Sequence, residues 1–118
     1  MRGAFPLVVT LWAVLAAPAA GQDLDPALND YPTAARADYV FGCMAANGQG
    51  RDMLEKCSCS IDVIASILPY EKYVEAETVL SLRLVGGERM SMFKGGAVTD
   101  GMVAELRRAQ AEAEILCF

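Results

Sequence analysis

Four cysteines, Cys43, Cys57, Cys59 and Cys117, place the strongest constraint on what this 118-residue chain can fold into. An even number of cysteines in a small exported chain is typical of disulfide bonds used as scaffolding. A bond between Cys57 and Cys59 is disfavoured, because side chains two positions apart on a helix point in nearly opposite directions. We therefore expect each of these two residues to pair with Cys43 or Cys117.

Helix geometry favours one of the two remaining pairings. If the chain makes an antiparallel helical hairpin around residues 47–50, Cys43 and Cys57 lie at similar heights on its two arms. Cys59 points about 200° further around the helix, at 100° per residue, and so faces the remaining cysteine. This reasoning predicts Cys43–Cys57 and Cys59–Cys117. The alternative, Cys43–Cys59 with Cys57–Cys117, requires only a rotation of the second helix and stays open.

The Cys57-Ser58-Cys59 segment also has the adjacent sulfur atoms of a thiol-redox pair or a soft-metal site. We favour structural bridging, because small exported domains generally use paired cysteines as staples.

The N-terminal region has the pattern of a secretory signal peptide. No charged residue occurs from Phe5 to Ala20, and small residues precede Gln22. The apolar stretch is short for a membrane span and is followed by no stop-transfer flank. We expect cleavage before Gln22, which removes residues 1–21 and leaves a mature protein without a membrane span.

Hydrophobic periodicity after this point is helical throughout, which predicts an all-α fold: a small disulfide-stapled bundle of four helices. Residues 22–31 are expected to form an acidic, irregular lead-in, and residues 32–118 the helical domain. The helices are predicted at residues 32–46, 52–68, 70–85 and 100–117.

The second predicted helix is apolar on two sides, which indicates a central helix that packs against the first and the last. The apolar stripes of the helices also predict the core. Its most buried members are expected to be Val40, Leu54, Ile61, Ile64, Leu68, Leu80, Val103 and Leu106.

Charge and composition exclude several functions. Loss of Arg2 with the signal peptide would change the net charge from −5 to −6, which disfavours nucleic acid and anionic membranes as partners. The chain contains no histidine, which removes the common nucleophile triads, histidine-ligated zinc and covalent haem attachment. We expect no enzymatic activity and no cofactor.

Two weaker patterns involve the segment between the third and fourth helices. Met90 and Met92 have the spacing of thioether ligands for Cu(I), although plugging the end of the helical core is the interpretation we favour. Met92 and Phe93, together with Tyr70 and Tyr73, are surplus apolar residues near loops and are predicted to form a partner surface.

Three segments, residues 43–48, 57–62 and 111–118, resemble a group of small exported proteobacterial proteins encoded beside periplasmic quinoprotein alcohol dehydrogenases and their cytochromes. The resemblance implies a periplasmic location but no established activity, so it assigns no catalytic residue. In architecture the chain is similar to acid-stress chaperones of the HdeA type, with two expected bridges instead of one.

These observations favour a non-enzymatic periplasmic accessory or binding protein, in the service of a quinoprotein dehydrogenase system, whose partner is another periplasmic protein. One alternative is an HdeA-like acid-stress chaperone, since the 15 carboxylates would become protonated in acid. The other is a copper or thiol-redox carrier.

Overall fold

The computed structural model describes residues 28–85 and 95–118, together with Gly3. These parts form four α-helices and contain no strand, which confirms the predicted all-α bundle. The helices are α1 (Thr33–Asn47), α2 (Arg51–Ile67), α3 (Tyr70–Val85) and α4 (Ala97–Cys117). Most bounds agree with the prediction within one residue, whereas α4 begins three residues earlier. No helix in the described ranges is long and apolar enough to cross a membrane.

The turn between α1 and α2 depends on glycine. Gly48 has a φ of 124° and Gly50 a φ of 148°, values that residues other than glycine rarely adopt. The Gly48 N–H donates to the Met44 carbonyl oxygen and closes the last turn of α1. The chain then reverses, so that α1 and α2 run antiparallel.

The end of α2 is determined by Pro69. Leu68 is extended, as a residue before proline generally is, while its N–H still donates to the Ile64 carbonyl oxygen. The chain thereby leaves the axis of α2 and begins α3 at Tyr70.

Helix α2 is central, as its two apolar sides predicted. It packs against α1 on one side and makes the most extensive interface of the domain with α4 on the other. The α3 helix packs mainly on α4.

Both disulfides form as predicted. Cys43 is bonded to Cys57 and Cys59 to Cys117, with a Cα–Cα distance of 5.8 Å in each bridge. The first staples α1 to α2 and the second staples α2 to the end of α4, while α3 carries no bridge. In the chain-entropy treatment, loops of 14 and 58 residues correspond to about 3 and about 4 kcal/mol of stabilisation. Two disulfides fit an oxidising compartment.

The predicted core is mostly confirmed. Buried as expected are Ile61, Ile64, Leu68, Val103 and Leu106. Val40 and Leu80 are only partly buried and pack against the rim of the core.

The prediction for Leu54 is wrong, because its side chain is 38% exposed. Leu54 shares the apolar stripe of Cys57 and Ile61, but it lies near the start of α2 beside a groove that no other described helix covers. Small residues, notably Ala65, Ala76, Ala109 and Ala113, take a larger share of the core than predicted, since they let the helices approach closely.

Tyr31 is a further core residue, although it is the last residue of the segment expected to be an acidic, irregular lead-in. Its side chain is 6% exposed, and its hydroxyl donates to the Leu68 carbonyl oxygen at 2.8 Å. The Asn29 N–H donates to the Ala65 carbonyl oxygen at 2.9 Å. The packed domain therefore includes residues before α1.

Candidate binding groove

An apolar groove of about 450 Å³ lies between α1 and α2, and its lining residues all belong to these two helices. Its floor and walls are formed mainly by Val40, Phe41, Met44, Leu54 and Ile61, with Ser58 between them. Because the Cys43–Cys57 bridge joins the two helices beside it, the separation of its walls is fixed covalently.

The groove exists because α1 is an unusual helix. Only Arg36 and Asp38 are charged among its 15 residues, yet none of its residues is buried. Surface helices generally turn an apolar stripe to the core and a charged face to solvent. Here Phe41 is 76% exposed and lies at the lip of the groove. Helix α1 thus presents uncharged surface outward as well as inward.

One end of the groove is closed by an ion pair between the two helices. Arg36 Nη1 donates to Asp62 Oδ1 at 2.6 Å. The same guanidinium donates to the Asn29 carbonyl oxygen at 3.4 Å and lies 5.7 Å from the centre of the Tyr31 ring. Its side chain is 26% exposed, whereas that of Asp62 is 68% exposed. The cation is held inward and the carboxylate faces solvent.

None of the four predicted disulfide cysteines lines the groove. All four sulfur atoms are bonded, so the oxidised protein has no free thiol. Met90 and Met92, whose spacing resembles that of copper ligands, and Phe93, which with Met92 belongs to the predicted partner surface, lie outside the described residues. Within the described ranges, no three His, Cys, Asp or Glu side chains come together as a metal site.

The other two residues of the predicted partner surface belong to an aromatic cluster. The ring of Tyr31 lies 5.0 Å from that of Tyr70 and 5.1 Å from that of Tyr73, centre to centre. Tyr73 is only 8% exposed, and burial raises the pKa of its hydroxyl. Tyr73 therefore packs inside the domain and does not contribute to an exposed surface, while Tyr70 is half-buried.

A second, shallower cleft of about 710 Å³ separates α1 from α3 and contains the carboxyl of Glu77. Partial burial raises the pKa of this carboxyl, Arg107 on α4 opposes that effect, and Asp38 across the cleft adds to it. This cleft therefore has a carboxyl group on each wall, Asp38 on α1 and Glu77 on α3.

Phe41 is the main groove residue that the sequence did not single out. Helical periodicity places Tyr39 and Phe41 on different sides of α1, so one of the two had to be partly exposed, and it is Phe41. Comparison with known protein families, with curated proteins and with solved structures found no match to this chain.

Proposed function

We propose that this protein is a non-enzymatic, exported accessory protein that binds another protein through the groove between α1 and α2. The observation that carries the proposal is the position of Phe41, 76% exposed at the lip of an apolar groove. A contiguous apolar surface rimmed by polar residues marks protein interaction sites.

The disulfides support this function by making the groove rigid. Cys43–Cys57 fixes α1 to α2, and Cys59–Cys117 fixes α2 to α4. A preformed groove loses little conformational entropy when a partner binds, which favours affinity. Bridges of this kind belong to proteins that work in an oxidising compartment.

The resemblance of three sequence segments to exported proteobacterial proteins supports the periplasm as that compartment. It also makes the components of a quinoprotein dehydrogenase system the first partners to test.

Affinity capture with matched variants tests the proposal. The oxidised protein serves as bait for a periplasmic extract, beside Phe41→Ala and the control Ile115→Ala. Ile115 is 78% exposed on α4 and lies outside the groove. We expect one partner to be recovered by the wild type and by Ile115→Ala, and to be lost with Phe41→Ala. Capture that does not depend on Phe41, or no capture above background, would overturn the proposed function.

A further inference from the structure

The length of the groove defines the kind of element that fits it. Its lining on α1 runs from Thr33 to Met44, a rise of about 16 Å at 1.5 Å per residue. Two antiparallel helices with a trough between them accept a third helix, whose apolar anchors recur at i, i+4 and i+7. A helix of about three turns spans the trough from end to end.

The charge at the Thr33 end of the groove determines which charge the bound helix should carry at that end. The Arg36 guanidinium is engaged by Asp62, the Asn29 carbonyl and the Tyr31 ring, whereas the Asp62 side chain is 68% exposed. Asp62 can therefore accept a further hydrogen bond from outside. The protein as a whole carries a net charge of −5, which adds to the attraction for a cation.

The opposite end of the groove offers no comparable charge. Further along the α2 face that carries Ser58 and Asp62, Arg51 donates to Glu55 at 3.2 Å, so these two charges compensate each other. The remaining α1 charge, Asp38, lines the cleft towards α3 instead.

A second copy of this chain fits the groove less well than a separate helix. Ten residues line the groove, whereas stable protein interfaces use roughly 20–30 residues on each side. Two copies would also bring together surfaces of the same negative charge, with Asp62 exposed in both.

Building on the proposed function, we propose that the groove binds an amphipathic helix of a partner protein, with an apolar ridge of about three turns that ends beside a lysine or arginine. The ridge packs on Val40, Met44 and Leu54 beneath Phe41, and the basic side chain pairs with Asp62. Specificity then resides in the Asp62 contact and affinity in the apolar ridge.

Two synthetic peptides test this assignment on the full, oxidised mature protein. Each has about 14 residues with leucines at i, i+4 and i+7, and they differ only in carrying lysine or glutamate at both ends. We expect the lysine peptide to shift the backbone amide signals of Val40, Met44 and Leu54, and the glutamate peptide to bind about fivefold more weakly. Phe41→Ala should weaken both peptides about tenfold.

Asp62→Asn tests the charged contact, with Glu71→Gln on α3 as a control that removes the same charge outside the groove lining. We expect Asp62→Asn to weaken the lysine peptide about threefold and to reduce its dependence on salt, while Glu71→Gln changes neither. A circular dichroism melt of each variant identifies any loss of folding. Asp62 also pairs with Arg36, so Asp62→Asn disturbs Arg36 as well. Comparing the lysine and glutamate peptides on the wild-type protein tests the charged contact without any substitution.

Each contrary result has a separate meaning. Equal binding of both peptides, or signals that shift outside the groove, would overturn the assignment. If the protein dimerises in a concentration-dependent manner and Phe41→Ala abolishes this dimerisation, the groove binds a second copy of the chain and not a partner helix. If neither peptide binds while Phe41-dependent capture persists, the helix assignment is wrong and the proposed function stands. If the lysine peptide binds at the groove but no partner is captured, the preference of the groove for a basic amphipathic helix stands and the proposed accessory function is wrong.

Discussion

The Tyr31 hydroxyl donates a 2.8 Å hydrogen bond to the carbonyl oxygen of Leu68, 37 positions later in the chain. Leu68 follows the last residue of α2, where carbonyl groups lack a partner within the helix. The Asn29 N–H satisfies a second such group, the carbonyl of Ala65. The segment before α1 therefore caps the end of α2 and stabilises the turn into α3 that Pro69 begins.

We expect Tyr31→Phe to lower the free energy of unfolding by about 1–3 kcal/mol, because the buried Leu68 carbonyl would lose its hydrogen-bond donor. Urea denaturation of the oxidised protein measures this change. Tyr70→Phe is the matched control, since the hydroxyl of Tyr70 makes no hydrogen bond within the described ranges and its ring belongs to the same cluster. Equal losses in the two variants would contradict the capping role of Tyr31.

The sequence was sufficient to predict the helices and to favour the observed disulfide pairing over its alternative, because both inferences depend on helix geometry. A period of 3.6 residues and a short glycine-containing turn place Cys43 opposite Cys57 and leave Cys59 for Cys117. The burial of Tyr31 depends instead on a contact with Leu68, far away in the sequence, and no local pattern carries that information.

The sequence did not predict the groove, for a related reason. Periodicity shows that Leu54 and Ile61 share one stripe of α2, but it does not show how far along that stripe another helix extends. Leu54 consequently looks like a core residue in the sequence and lies at an open groove in the structure. The exposure of Phe41 follows from the same uncovered surface.

Two apolar residues of α2, Ile64 and Leu54, should respond very differently to truncation. Ile64 is fully buried, so we expect Ile64→Ala to cost about 2–5 kcal/mol, the range for removing a large aliphatic side chain from a core. Leu54 is 38% exposed, and Leu54→Ala should cost about 1 kcal/mol or less. Chemical denaturation of both variants measures the difference. A large loss for Leu54→Ala would mean that the groove is closed in solution.

Glu77 should make the protein less stable as the pH rises. Burial raises the pKa of its carboxyl above the ordinary value of 4.5, with Arg107 opposing and Asp38 adding to the effect. As the pH increases through 4.5 the unfolded chain releases this proton first, so the free energy of unfolding falls until the folded carboxyl also ionises.

The variant Glu77→Gln removes this titration while keeping the size of the side chain. We expect its melting temperature at pH 7 to exceed that of the wild type, and the difference to shrink as the pH falls below 4.5, where the wild-type carboxyl becomes protonated in both states. Thermal melts across this range, with Glu71→Gln as an exposed control on the same helix, isolate the contribution of Glu77. A difference that is independent of pH would show that the carboxyl does not titrate as described.

The two disulfides should differ in their resistance to reduction. Cys57 is fully buried, whereas Cys43, Cys59 and Cys117 are each partly exposed. Thiol–disulfide exchange requires access to a sulfur atom, so a mild reductant should open Cys59–Cys117 first.

Timed alkylation of the native protein, followed by full reduction and a second label, identifies the order. Because Cys57 and Cys59 are separated only by Ser58, fragmentation of the peptide that contains both must assign each label. We expect an intermediate labelled at Cys59 and Cys117 that has lost about 4 kcal/mol of stability. Since Cys43–Cys57 still joins α1 to α2 in that intermediate, it should retain Phe41-dependent binding. First labelling at Cys43 and Cys57 would contradict the accessibility argument, and binding lost with the Cys59–Cys117 bridge would show that the groove depends on α4.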